Sequence, residues 1–113
     1  MTNIFQEDLL VVSPWLAVEI GLNEAIFLHR LHSLRNWGAG YADAEGRYWI
    51  RSTLLSWRQH FPFWSISTIQ RIIKKLEEQN LIFTAVCNPK PMDQTLSYAI
   101  NEAAFERPNR HCL

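Results

Sequence analysis

Phe63-Trp-Ser-Ile-Ser-Thr-Ile-Gln-Arg-Ile-Ile-Lys-Lys-Leu-Glu-Glu-Gln-Asn-Leu-Ile-Phe83 decides the fold. Ser65 stands where a side-chain oxygen can accept from the unpaired N–H groups of a first helical turn, so it predicts an N-cap. At 100° per residue, Ile66, Ile69, Ile72, Ile73 and Leu76 gather on one side. Ser67, Arg71, Lys74 and Glu78 fall opposite, with Gln70 at the edge. That stripe predicts a helix over 66–79, buried along one face and wet along the other. Asn80 suits the left-handed residue that closes a helix. Leu81, Ile82 and Phe83 then open an extended run.

The flanks extend this unit. Phe61-Pro62-Phe63-Trp64 reads as a turn, because proline cannot continue the preceding helix. Ser52 predicts the cap of a short helix from 53 to about 60, with Leu54, Leu55 and Trp57 as its apolar contacts. Residues 47–51 predict a strand, and the glycine-rich stretch 38–46 a loop. Upstream, Asn23 predicts the cap of a helix reaching about residue 35. Ser13 and Pro14 predict a shorter helix over 14–20, stopped by Gly21. Downstream, 81–87 and 94–100 predict two strands around a turn-rich loop at 88–93. In the second strand Leu96, Tyr98 and Ile100 alternate with Thr95, Ser97 and Ala99, which predicts one buried face. Residues 101–105 predict a last helical turn. An entry segment over 1–13, a domain over 14–105 and a polar tail over 106–113 follow from this layout. The predicted fold is α+β, mainly α with a small β-hairpin, and its element order is that of a winged helix-turn-helix.

The chain of 113 residues suits one domain with one core. A hydrophobic fraction of 48% and a charged fraction of 19% exclude global disorder. No apolar run reaches the roughly 18 residues of a membrane span, and the first eight residues lack a basic signal-peptide region. Cys87 and Cys112 give neither metal spacing nor a disulfide framework, so a cytoplasmic location is expected. His29 and His32 have no acid or cysteine in register, and no metal site is expected. Phosphate loops, nucleophile elbows and Cys-His signatures are absent from the sequence, so neither an enzyme nor a cofactor is expected. Trp15, Trp37, Trp49, Trp57 and Trp64 are expected mostly in or beside the core. Trp37 and Tyr41 are the expected exposed pair, available to a homodimer or another partner.

Net charge is zero, but its distribution is uneven. From Arg47 to Leu76 there is no acid, and Arg47, Arg51, Arg58, Arg71, Lys74 and Lys75 give this window +6. The preceding residues carry −4 and the following ones −2. A basic pole of this kind steers an anionic partner despite overall neutrality.

Four stretches carry a family resemblance: Ile20-Gly-Leu-Asn-Glu-Ala-Ile-Phe-Leu28, Gly46-Arg-Tyr-Trp-Ile50, Phe61-Pro-Phe-Trp-Ser-Ile-Ser-Thr-Ile-Gln-Arg71 with Leu76-Glu77, and Asp93-Gln-Thr-Leu-Ser-Tyr98. The chain resembles the winged-helix domain of phage and plasmid replication proteins, the replication-initiator or replisome-organiser group related to DnaD-like N-terminal domains. Gln94 departs from the arginine such proteins often carry before the wing threonine. The resemblance implies binding to double-stranded DNA, in replication or as a repressor.

Residue by residue, Ser67, Thr68, Gln70 and Arg71 occupy the turns that meet base edges when a helix enters the major groove. Lys74, Lys75, Arg51 and Arg58 suit phosphates, and Ser65 with the helix N-terminus offers N–H groups to another. Lys90 is the one cation of the predicted wing, between Pro89 and Pro91. A second reading uses the same basic face differently. A phage-encoded, net-neutral domain can bind an acidic surface on a host protein complex, as an anti-CRISPR or replication inhibitor. Zero net charge, Gln94 and the sparsely charged wing favour that alternative.

Overall fold

Residues 9–86 and 95–105 are described in a computed structural model. The expected wing loop with Lys90, Asp93 and Gln94, both cysteines, the first eight residues and the tail from 106 lie outside the described residues. Among the described residues four helices, α1 (Pro14–Ile20), α2 (Leu22–Asn36), α3 (Leu54–His60) and α4 (Ile66–Glu78), accompany a four-stranded sheet. Its strands are β1 (Tyr41–Ala42), β2 (Tyr48–Ser52), β3 (Ile82–Ala85) and β4 (Leu96–Ile100), and a 3-10 turn spans Glu102–Phe105. The spatial order is β1-β2-β4-β3 and every pairing is antiparallel. The fold is therefore α+β, with a sheet larger than the expected hairpin.

The extra strand comes from the stretch expected to be a loop. Asp43 organises it. Its Oδ1 accepts from the N–H groups of Glu45 and Arg47 at 2.9 and 3.0 Å, and its Oδ2 accepts from the Trp49 indole at 2.9 Å. These bonds fold 43–46 back and pair Tyr41 with Trp49. Gly40 is required here, because a Cβ would run into the Trp49 carbonyl oxygen.

Two caps differ from expectation. Gly21, at φ 105°, both ends α1 and begins α2, donating to the Ala17 carbonyl and accepting from the Ala25 N–H at 2.9 Å. Asn23 is thereby carried inside α2 and caps nothing. Ser52 is still paired to Leu96 in the sheet, so the cap of α3 passes to Thr53, whose Oγ1 accepts from the Ser56 N–H at 3.0 Å. The caps at Ser13 and Ser65 are where the sequence places them.

The core gathers on the helix side of the sheet. Phe27, Leu28 and Leu31 of α2 meet Trp57, Phe61, Ile69, Ile72, Leu76, Ile50, Ile82 and Tyr98. Trp57 lies 4.8 Å from Phe27 and meets Tyr98 edge-on at 5.4 Å, ring centre to ring centre. Each of these side chains contributes roughly 1.5–3 kcal/mol by leaving water. Leu55, expected to join them, is 69% exposed; it lies about 200° around α3 from Trp57 and cannot share its face. Trp49, Trp57 and Trp64 are buried as expected, whereas Trp15 is 77% exposed on α1.

β4 is buried on both faces, not one. It is an inner strand, and the β1–β2 hairpin reaches its outer side, where the Tyr41 hydroxyl lies 3.4 Å from Ser97 Oγ. The exit of α4 follows the sequence closely. Asn80 adopts φ 58°, its N–H donates to the Glu77 carbonyl, and the Leu81 N–H donates to the Leu76 carbonyl. This pair of bonds is the Schellman closure, and it delivers the chain directly into β3.

Candidate nucleic-acid interface

The exposed side of α4 defines the site. Ile69, Ile72, Ile73 and Leu76 are buried against α2, α3 and the sheet, so the helix turns Ser67, Gln70, Arg71 and Lys74 outward, all exposed. Thirteen residues give α4 a length of about 20 Å. Its N-terminal turn is built by hydroxyls. Ser65 Oγ accepts from the Thr68 N–H at 3.2 Å, donates to Thr68 Oγ1 at 3.0 Å and lies 3.1 Å from Ser67 Oγ. Ser65, Ser67 and Thr68 thus form one cluster at the positive end of the helix dipole.

The expected site residues separate into three groups. Arg71 and Lys74, with Ser67 and Gln70, share the outward face of α4, and Arg58 is exposed on the neighbouring α3. None of these three cations forms an ion pair with another described residue. Lys75, exposed one turn beyond Arg71, stands at the edge of this face that borders α2. Its Nζ is 3.5 Å from Glu24 Oε1, in the first turn of α2. Arg51 belongs to a different surface. It pairs in register with Ser97 on the outer side of the sheet, whereas Ile50 and Tyr98 face the helices. Lys90 lies outside the described residues.

Arg47 also leaves the group that its place in the sequence suggested. Its guanidinium stacks over the Phe83 ring at 4.0 Å and lines a cleft with Arg35 and Glu102. The acid-free window is therefore split in space: α3 and α4 carry four of its cations, and Arg58, Arg71 and Lys74 are the three without an ion pair among the described residues. Glu77 and Glu78 close the basic face at its C-terminal end. The Glu77 carboxylate is held by the Thr84 hydroxyl at 2.6 Å.

Sequence reasoning missed a groove beside α4. It encloses about 490 Å³ between the start of α3, α4 and the start of β4. Leu54, Leu55, Ile73 and Leu96 supply apolar walls, and Gln70, Lys74 and Glu77 its polar edge. The signal available was Leu55, whose position on α3 is incompatible with the face of Trp57.

Among the described residues no cluster of three or more His, Cys, Asp or Glu side chains has a metal-binding arrangement. No helix among them is long and apolar enough to cross a membrane. Comparisons with family models, curated proteins and solved structures found no match.

Proposed function

We propose that the chain is a winged helix-turn-helix domain that binds double-stranded DNA, with α4 as its recognition helix. The observation that carries this reading is the outward face of α4: Ser67, Gln70, Arg71 and Lys74 exposed together, beside Arg58 and a hydroxyl-rich N-terminus. In this reading β2, β4 and β3 are the three-stranded sheet of the winged fold, and α3 is the helix that crosses the DNA backbone. The major groove, about 12 Å wide, admits a helix of this kind. Gln70 and Arg71 read base edges, in the manner of glutamine on adenine and arginine on guanine. Lys74 and Arg58 neutralise phosphates, and the N-terminal turn of α4 receives another. Lys75 and Arg51 are outside this interface. A single small domain gives modest affinity, so a homodimer or tethered partner supplies the specificity needed for replication-associated binding or repression.

The groove lined by Leu55 and Leu96 favours one second reading, a protein-binding module. An amphipathic helix from a host complex fits such a groove, with Lys74 and Glu77 on its edge. Fluorescence anisotropy with mixed-sequence duplex at about 50 mM salt separates the two. DNA binding predicts a saturable signal that Arg71→Glu abolishes and Leu55→Ser leaves intact. Absence of binding by the unsubstituted chain overturns the DNA reading.

A further inference from the structure

On another part of the molecule, α1, α2 and the end of β4 enclose a cleft of about 310 Å³. Leu28 forms its buried floor, and Leu16, Ile100 and Phe105 its half-buried apolar walls. This volume is at the lower end of small-molecule sites, which combine apolar walls with a few convergent polar groups. Here those groups come from α2, where His29 and His32 stand one turn apart and both line the cleft.

The hydrogen bonds fix what each ring offers. Ser13 N–H donates to His29 Nε2 at 3.1 Å, so the neutral ring keeps its proton on Nδ1. Burial, and then the neighbouring His32, hold the His29 pKa below its ordinary value, which favours that neutral form. The Asn36 amide nitrogen lies 3.4 Å from His32 Nδ1; in the tautomer where it donates there, His32 presents its N–H at Nε2. Neither remaining N–H has an acceptor among the described residues. Arg35 adds a cation at the edge of the cleft, where it pairs with the Glu102 carboxylate. Both partners are well exposed, and a surface pair of this kind is weak enough to exchange one carboxylate for another.

We propose that this cleft binds a small monocarboxylate with an apolar body. The carboxylate accepts from the His29 and His32 N–H groups and takes the place of Glu102 at Arg35, while the apolar body rests on Leu16, Leu28 and Phe105. The assignment is independent of DNA binding, because no residue of the α4 face takes part.

Sodium benzoate is a suitable probe, titrated into the full chain at pH 7 and constant ionic strength, with benzyl alcohol and benzylamine as size-matched controls. NMR reads the His29 and His32 ring signals and the Leu16 and Leu28 methyl signals. Benzoate shifts them saturably with a dissociation constant near 1 mM, the order expected for so small a ligand. His32→Ala, at an exposed position that does not threaten folding, weakens benzoate binding about fivefold or more by removing one charge-assisted hydrogen bond. Benzyl alcohol and benzylamine bind at least fivefold more weakly by the same reasoning. The proposal is overturned by no saturable shift up to about 20 mM, an order above that constant. It is also overturned by equal binding of either control, or by benzoate affinity unchanged in His32→Ala.

Discussion

Lys74→Ala and Lys75→Ala are chemically identical changes at adjacent positions, and they should behave oppositely. Lys74 is exposed on the outward face of α4, in line with Arg71 and Ser67. Lys75 lies 3.5 Å from Glu24, whose side chain is only 12% exposed. A lysine that meets one phosphate releases about 0.9 of a counterion. Removing Lys74 therefore flattens the plot of log K against log salt by about 0.9, and weakens binding about eightfold, or about 1.2 kcal/mol, at 0.1 M salt. Lys75→Ala leaves slope and affinity within about twofold of the unsubstituted chain. Its cost falls on stability instead. The Lys75 ammonium is about half exposed, so the pair is screened and its loss costs at most about 1 kcal/mol. Glu24 keeps the favourable N-terminal end of α2 in either case. Anisotropy titrations between about 50 and 200 mM salt give the slopes, and urea melts give the stability. The reasoning is refuted if Lys75→Ala flattens the slope as Lys74→Ala does, or if Lys74→Ala changes nothing.

Three further outcomes test the scaffold. The folded-state pKa of His29 lies below its ordinary value of 6.5, so the unfolded chain takes up more protons as pH falls through 6.5. The stability linked to this ring is complete above 6.5 and is lost as pH falls towards the folded pKa. His29→Gln, which retains an acceptor for the Ser13 N–H, flattens the dependence of urea midpoints on pH between about 7 and 5, above the range where carboxylates titrate. Ser65→Ala removes the cap that receives the Thr68 N–H and lowers unfolding free energy by about 1 kcal/mol in denaturant melts. Asn80→Gly, at φ 58°, leaves the thermal midpoint unchanged or higher, whereas Asn80→Val lowers it through about 1–2 kcal/mol of left-handed strain.

α4 was legible because three independent local signals agreed there: the Ser65 cap, the isoleucine stripe and the Asn80 closure. The misread caps share a physical cause. Asn23 and Ser52 are competent capping residues, but the first was pre-empted by Gly21 serving two helices and the second by pairing with Leu96. β1 was hidden because its order depends on Asp43 reaching Trp49, a contact that glycine-rich composition does not announce. At the candidate site, helical periodicity placed Ser67, Gln70, Arg71 and Lys74 together without tertiary information. The roles expected of Lys75, Arg47 and Arg51 rested on proximity in sequence. Space separates them through an ion pair, a stacking contact and the two-sidedness of a strand.

The decisive measurement for α4 is the salt dependence of duplex binding by the unsubstituted chain. Lys74 and Arg58, with the N-terminal turn of α4, give about three phosphate contacts per domain. The slope of log K against log salt is therefore expected near −3. A slope indistinguishable from zero, or no duplex binding at about 50 mM salt, contradicts the assignment of α4 as a DNA-recognition helix.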